Sequence, residues 1–271
     1  MNVGKFMEQL KSQLQSLLYY WCVSVNLFPD HGFHHCERVL NYANKLLDEL
    51  VKISHGRVYD LYEEENFLLK ISAYVHDIGM LCGRENHSIH SANIIKACLP
   101  STLMQLNQEE REVLSEIVKR HSSKMPIHDL DPVRTIRSCF FGRTEIRPQL
   151  LAILLRLADE LDISNARIDE HVYRILSDHC DKRLLTGDAR VYWIMHRITQ
   201  GPIIQGDQQG NLIIQINIDT SGLPKDERDE IILTIKSEIL MKFYKEVLYL
   251  AKCLKTSYEF HGDIIPKFNI S

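Results

Sequence analysis

The spacing of apolar residues divides the chain into a long helical part and a shorter tail of mixed character. In the first two thirds, apolar residues recur three and four positions apart, which places them on one face of a helix. The pattern is clearest over 39–50, 67–75 and 89–99, and residues 168–180 are predicted to form a further helix. The first two thirds are therefore predicted to be a bundle of amphipathic helices.

Residues at the ends of these segments agree with the prediction. Gly79 suits the position just after a helix, where a left-handed backbone is favoured, and Pro100 ends the next helix. Asn107 and Glu110 have the spacing of a capping box at the start of a helix that reaches about residue 120. Pro148 suits the first turn of a helix that continues to residue 161, because that position needs no backbone N–H.

The pattern changes after about residue 190. Residues 191–198 and 211–218 are rich in β-branched and aromatic side chains, and turn-forming residues lie between them at Gly201-Pro202 and at 207–210. This arrangement predicts two or three strands of a small antiparallel sheet. Pro224 then opens a helix that is predicted to reach about Leu254.

We therefore predict a mainly α fold with two parts. Residues 1–185 form a helical domain, and residues 186–271 add a small antiparallel β element and a long C-terminal helix. The tail is too small to form a core of its own, so we expect it to pack against the helices. Its strand edges and apolar helix stripe would also suit a lid, a partner site or a contact between copies in a homo-oligomer.

The composition is that of an ordinary globular protein. Of 271 residues, 45% are hydrophobic and 25% are charged, and the formal net charge is −4. This balance gives no global attraction to nucleic acids, and no apolar run approaches the roughly 18 residues needed to span a bilayer. Seven scattered cysteines without a C-x-x-C pair argue against a disulfide framework. We expect a cytoplasmic protein without a signal peptide.

Histidine is the residue type that points to chemistry, because most of the 13 histidines lie between His31 and His128. His76 and Asp77 are adjacent at the end of a strongly apolar helix. Burying an unpaired carboxylate there would be costly, and a metal ion removes that cost by taking both side chains as ligands. A hydrogen-bonded pair that caps the helix is the alternative interpretation.

Three segments together resemble a known family. His35 precedes Arg38-Val39, the pair His76-Asp77 follows, and Asp159 comes after Ala158 late in an apolar helix. This ordered set, over about residues 30–165, resembles the HD-domain superfamily of metal-dependent phosphohydrolases. The resemblance implies an HD-domain helical bundle, and the spacing to Arg38-Val39 favours His35 over its neighbour His34 as a ligand.

Two further histidines extend the resemblance to the binuclear members of that superfamily. His87 is followed at the matching offsets by Ser91, Ile94 and Ile95, and His121 comes late in the next helix. The alternative for each is a surface histidine at a helix end. The tripeptide of the cyclic-di-GMP phosphodiesterases is missing after His121, so that substrate is not implied. The resemblance implies two divalent metal ions, with Asp77 bridging, held by His35, His76, Asp77, His87, His121 and Asp159.

The ligand types suggest the chemistry. Imidazole and carboxylate ligands without thiolate suit Mn, Fe, Mg, Co, Ni or Zn. Paired ions would activate a water for attack on phosphorus, with Asp77, His87 and His121 at the reacting centre. Arg38 and Lys119 are the predicted cations for the remaining phosphate charge. Asp162, one turn after Asp159, is predicted either to orient a ligand histidine or to pair with Arg167.

The sequence thus predicts a phosphohydrolase or phosphodiesterase acting on a nucleotide or another phosphate ester. Two alternatives remain open. Some HD-fold proteins use the same six ligands in a di-iron oxygenase, as inositol oxygenase does. The chain would otherwise be a non-catalytic HD scaffold that binds a nucleotide or a protein partner. The irregular stretch 122–147 is the predicted loop most suited to border a site.

Overall fold

Helices build most of the chain. The computed structural model describes residues 2–24, 29, 31–54, 59–124, 140–179, 187–258 and 260–271. Up to residue 179, its helices cover the segments in which the apolar spacing predicts them. They are α1 (Val3–Ser24), α2 (Phe33–Ser54), α3 (Glu63–Val75), a 3-10 turn (Ile78–Cys82), α4 (His87–Lys96), a 3-10 turn (Ser101–Gln105), α5 (Gln108–Lys119), α6 (Pro148–Glu160), a 3-10 turn (Asn165–Arg167), α7 (Glu170–Arg174) and a π turn (Ile175–His179).

The described residues of the tail form three more helices and three strands. A helix first leads into an antiparallel hairpin, and a long helical stretch then leads to the last strand. Within the stretch that the structure describes between 140 and 147, two short strands form a separate hairpin. The elements are α8 (Gly187–Ile198), β3 (Thr199–Gly206), β4 (Leu212–Ile218), α9 (Lys225–Thr234), a π turn (Ile235–Leu240), α10 (Met241–Tyr258), β5 (Ile264–Ile270), and earlier β1 (Phe140–Phe141) and β2 (Thr144–Glu145).

Helix α6 lies at the centre of the bundle. Its side chains are buried on almost all sides from Pro148 to Ala158, which is the pattern of a helix surrounded by others. Helices α2, α3, α5 and α10 all pack against it. The peripheral helix α1 instead buries one stripe, with Phe6, Leu10, Leu14 and Leu18 four residues apart.

The predicted helix starts are confirmed. Asn107 Oδ1 accepts a hydrogen bond from the Glu110 backbone N–H at 2.9 Å, and the Glu110 carboxylate accepts one from the Asn107 N–H at 2.9 Å. Pro148 lies in the first turn of α6. The helix predicted over 168–180 is α7 with its π turn, and Cys180 lies outside the described residues.

The prediction for Gly79 is wrong, because α3 ends at Val75 and Gly79 lies in the following 3-10 turn. A Cβ on Gly79 would lie 2.1 Å from the His87 carbonyl oxygen and 2.3 Å from the Ser91 nitrogen. Ser91 Oγ accepts a hydrogen bond from the Gly79 N–H at 2.8 Å and donates one to the His76 carbonyl at 2.5 Å. The glycine is therefore required by the close approach of α4.

The strand predicted over 191–198 is also wrong, because these residues form the last eight of the twelve residues of α8. β-Branched and aromatic residues favour strands only where the surroundings suit them. Here Trp193, Ile194, Met195 and Ile198 are buried on a helix. The strand begins at Thr199 and runs through Gly201-Pro202, which was predicted to be a turn; an irregularity in register between Gln200 and Ile203 accommodates the proline.

The small sheet has the order β3-β4-β5. The antiparallel pairing of β3 with β4 is confirmed, and the predicted turn at 207–210 joins them, with Gly210 at φ 81°. Strand β5 was not predicted, and it pairs with β4 in parallel rather than antiparallel fashion. Such a pairing requires a long crossover, which α9 and α10 supply.

The tail packs against the helices, as predicted. Its buried residues, among them Ile214, Val247 and Leu250, belong to the same apolar core as α1–α6. The boundary predicted at 185/186 falls outside the described residues, and the division into two domains stays a prediction.

Cys36, Cys82, Cys98 and Cys253 are free thiols. In the described ranges, every helix is too short or too polar to cross a membrane.

Candidate metal centre

The structure brings the six predicted ligands together, although they come from five separate segments. His35 lies in the first turn of α2, and His76 and Asp77 lie at the end of α3. His87 begins α4, and His121 follows α5. Asp159 lies in the last turn of α6. We call these residues the metal cluster: His35, His76, Asp77, His87, His121 and Asp159.

Asp77 divides the metal cluster into two groups. Its Oδ2 atom lies 3.6 Å from His35 Nε2 and 3.4 Å from His76 Nε2. Its Oδ1 atom lies 3.3 Å from His87 Nε2 and 3.5 Å from His121 Nε2. Ligands about 2.1 Å from one ion are about 3.0–3.5 Å from each other in octahedral or tetrahedral geometry. Each group could therefore hold a metal ion, with Asp77 common to both.

Asp159 belongs to the first group. Its Oδ1 atom lies 3.2 Å from His35 Nε2 and 3.7 Å from His76 Nε2. His34, the alternative to His35, has a side chain that is 82% exposed and lies near Glu37, whereas the His35 side chain is fully buried. The structure thus places His35, and not His34, in the metal cluster.

Acceptors on the far side of each ring orient the four imidazoles. The Nδ1 atoms of His76, His87 and His121 lie 3.0, 2.9 and 2.7 Å from the carbonyl oxygens three residues earlier. His35 Nδ1 lies 2.6 Å from Asp162 Oδ2. When each Nδ1 donates to its acceptor, each neutral Nε2 directs a lone pair into the metal cluster.

The Nε2 atoms also lie close to one another. His35 and His76 are 3.1 Å apart at Nε2, and His87 and His121 are 2.9 Å apart. Two lone pairs at this distance repel each other, and a cation between them removes the repulsion. The donor set and its orientation therefore fit divalent metal ions, as the sequence suggested.

The charges of the metal cluster also favour a bound cation. Burial raises the pKa of Asp77, but His76, His121 and His87 outweigh it and hold that pKa well below its usual range. Burial likewise raises the pKa of Asp159, and His35 and His76 bring it well below its usual range. Burial lowers the pKa of His76, but Asp77 and Asp159 raise it well above 6.5. The ionised carboxylates of Asp77 and Asp159 thus favour positive charge beside the buried imidazoles. A bound metal ion would supply that charge in place of protons.

A further shell holds His35 in place. Asp162 is fully buried and accepts hydrogen bonds from Arg38 Nε at 2.8 and 3.1 Å. Arg167 donates to the Asp162 carbonyl at 2.9 Å, and its Nε lies 3.6 Å from Asp162 Oδ2. Both interpretations of Asp162 therefore hold, since it orients His35 and also pairs with Arg167.

Comparison with known proteins places the chain in a family. A family model for HD-CE domains matches residues 25–239. The chain belongs to the HD-CE family. This match confirms the resemblance to HD-type domains, and it extends beyond the 30–165 motif region into the tail. No curated protein matches the chain.

The metal cluster of this HD-CE chain borders a cavity of about 180 Å³. Asp77, His87, His121 and Asp159 line one part of it, with Ser122 and Ser123 from the predicted loop beside them. Residues 125–139 of that loop lie outside the described residues. A second part of the lining comes from α8, the π turn Ile235–Leu240 and α10. We call it the tail wall: Tyr192, Met195, His196, Ile239, Lys242 and Phe243.

The cations that line this cavity differ from those expected. Arg38 contacts Asp162, and neither Arg38 nor Lys119 lines the cavity, so their predicted catalytic roles stay predictions. Arg84, Arg167 and Lys242 line it instead. The Arg84 guanidinium lies 5.9 Å from the centre of the Tyr192 ring. Glu160 also lines the cavity, and its charge raises the pKa of Lys242.

Sequence reasoning missed the tail wall altogether. No local motif marks His196, Tyr192, Lys242 or Phe243 as a functional residue. They lie far along the chain from the HD motifs. Because residues 191–198 are predicted to form a strand, Tyr192, Met195 and His196 are not expected on one face. Had residues 187–198 been read as a helix, these three positions would have shared one face.

Proposed function

We propose that this HD-CE chain is a metal-dependent phosphoric ester hydrolase that acts on a nucleotide or a related phosphate ester. The observation that carries the proposal is the placement of Asp77, which presents one carboxylate oxygen to each pair of imidazoles. An HD-CE domain with a buried His/Asp cluster is compatible with an HD-type metal-dependent hydrolase.

The chain's own residues would divide the work. The metal cluster would hold two divalent ions, which when bound supply an activated water and offset charge on phosphoryl oxygens. Asp162 keeps the His35 ring in the orientation that directs Nε2 inward. Arg84, Arg167 and Lys242 would attract the anionic substrate into the cavity and bind the phosphate charge that remains.

The cavity lining supports a phosphate ester rather than a neutral substrate. Among the described residues of the lining, the cations of Arg84, Arg167 and Lys242 equal in number the carboxylates of Asp77, Asp159 and Glu160. Two divalent ions would therefore make the cavity strongly positive. Such a field favours anionic ligands and distinguishes this proposal from a site for a neutral polyol.

The test is metal analysis followed by a screen for phosphate release. The chain is purified without added metal, stripped with a chelator and reloaded separately with Mn²⁺, Mg²⁺, Fe²⁺, Co²⁺, Ni²⁺ or Zn²⁺. Nucleotides, cyclic nucleotides and small phosphate esters are then supplied, and turnover is followed as free phosphate or, for the cyclic nucleotides, as the nucleoside monophosphate. We expect two ions per chain and phosphate release. His76→Ala should lose the ion of the first group and abolish phosphate release.

The control is His171→Ala, which makes the same change at an exposed histidine of α7. It should keep metal content and activity. Oxygen consumption by the iron-loaded chain without any phosphate release would favour the oxygenase. Binding of a nucleotide with no turnover under any metal would favour the scaffold.

A further inference from the structure

His196 is a buried polar residue of the tail wall that the metal cluster does not use. Its residue is 3% exposed, and it lines the same cavity as Asp77, His87 and His121. Within the part of the chain that the structure describes, its Nδ1 atom is buried and has no hydrogen-bond partner. A buried ring nitrogen in this state has lost its hydrogen bonds to water and gained none from the described residues, which costs free energy unless a ligand supplies a partner.

The surroundings of His196 favour a neutral ring. Burial, followed by the positive charge of Arg167, lowers the pKa of His196 well below 6.5. Asp162 acts in the opposite direction, whereas His35 and Arg38 add to the lowering. A neutral imidazole offers one N–H donor and one lone pair. It therefore matches an uncharged hydrogen-bonding group, whereas phosphoryl oxygens are better matched by the cations of the cavity.

We propose that His196 binds an uncharged hydrogen-bonding group, such as a hydroxyl or an amide, on the organic part of the substrate. This inference rests on the proposed function, because it places a phosphate ester in the cavity. The metal cluster would take the phosphoryl end. The organic part would contact the tail wall, where Tyr192 and Phe243 add aromatic surface beside His196.

Two chromogenic diesters test this assignment in the Mn²⁺-loaded chain. Bis(p-nitrophenyl) phosphate and thymidine 5′-(p-nitrophenyl phosphate) release the same nitrophenolate, but only the second carries hydroxyl and amide groups. His196→Phe keeps the ring and removes both nitrogens. We expect His196→Phe to lower kcat/KM for the thymidine ester about fivefold more than it lowers kcat/KM for the bis ester. A factor of this size corresponds to the loss of one hydrogen bond.

A second variant and a matched control complete the test. His196→Asn keeps a hydrogen-bonding atom near the Nδ1 position, so it should restore most of the difference between the two esters. His171→Phe makes the same substitution at an exposed site and should behave as wild type. Without ligand, His196→Phe should unfold at the wild-type temperature or above it, because it removes a buried nitrogen that has no partner.

Two results would overturn the proposal. One is an equal loss on both esters together with a lower unfolding temperature, which would show that His196 acts in packing. The other is wild-type kinetics on both esters. A wild type that hydrolyses neither ester would count against the proposed function. In that case, the role of His196 is tested by binding. The unfolding temperature is measured with and without thymidine 5′-monophosphate and Mn²⁺. A ligand-induced rise that is present in the wild type and lost in His196→Phe supports the proposal, and no rise in the wild type overturns it.

Discussion

The metal cluster and the tail wall border the same cavity, yet they are constructed differently. In the metal cluster, each imidazole has an acceptor at Nδ1, and Asp162 is itself fixed by Arg38 and Arg167. In the tail wall, the buried Nδ1 of His196 has no partner among the described residues. The side chains of the first region are held by contacts within the chain, whereas the second region contains a buried nitrogen for which we propose a partner on the substrate. Under the proposed function, the first region would serve the reaction and the second would select the substrate.

The largest expected effect concerns Asp77, because it alone serves both groups of the metal cluster. Asp77→Asn should remove both metal ions, whereas His121→Ala should leave the ion of the first group in place. Activity of Asp77→Asn should fall by more than the roughly 10²–10³-fold that a single electrostatic donor supplies. Metal content per chain, measured by mass spectrometry, checks the prediction.

The control for this experiment is Asp48→Asn, on an exposed position of α2, which should keep both ions. If Asp77→Asn retained one ion, the division of the metal cluster into two groups around Asp77 would be wrong.

The next effect tests whether the tail belongs to the same folding unit as the helices. Arg156 of α6 and Glu246 of α10 form a buried ion pair, and the Arg156 guanidinium lies 5.3 Å from the centre of the Tyr249 ring. Glu246→Ala leaves a buried arginine without its carboxylate, which should lower the free energy of unfolding by about 3–5 kcal/mol. Glu230→Ala, at an exposed position of α9, is the control.

Two probes follow this unfolding. In a Trp21→Phe background, Trp193 fluorescence reports on the tail, and far-UV circular dichroism reports mainly on the helices. Since the two parts share one core, both transitions should coincide and shift together. An earlier transition seen only by Trp193 would mean that the tail unfolds separately.

A smaller effect is expected from the shell around the metal cluster. Asp162→Asn removes the charge that orients His35 and should weaken the ion of the first group about 10–100-fold. The ion held by His87 and His121 should be affected much less. Competition with a chromophoric chelator measures the two affinities, and Asp169→Asn, at the start of α7, is the control. Equal weakening of both ions would contradict the assignment.

The smallest effect concerns the contact between the sheet and α2. Glu49 accepts a hydrogen bond from the Gly206 N–H at 2.8 Å, and Lys52 and this N–H lower the pKa of Glu49. Because the folded pKa is the lower one, the contribution to stability is complete above the unfolded value of about 4.3 and is lost as the pH falls through the folded pKa.

Glu49→Gln should therefore reduce stability by at most about 1 kcal/mol at pH 7 and progressively less below about pH 4. Denaturant titrations at a series of pH values measure this difference. A difference that stayed constant down to pH 3 would show that the Glu49 charge has no part in it.

The sequence determined the parts of this protein that depend on short-range pattern. Apolar spacing, Asn107 and Pro148 located the helices, because each acts within a few residues of itself. The HD motifs identified all six members of the metal cluster. Burying a histidine next to an aspartate is tolerable only with partners, so the pair His76-Asp77 stood out without any structure.

The tertiary structure decided whatever depends on residues distant in sequence. It turned residues 191–198 into a helix, since burial against the bundle outweighed their preference for strands. It also required a glycine at position 79, because α4 approaches closely there. Strand β5 joined β4 in parallel across α9 and α10, a pairing that no local pattern specifies. The tail wall also depends on long-range packing, because only the folded chain places His196 on the same cavity as the metal cluster.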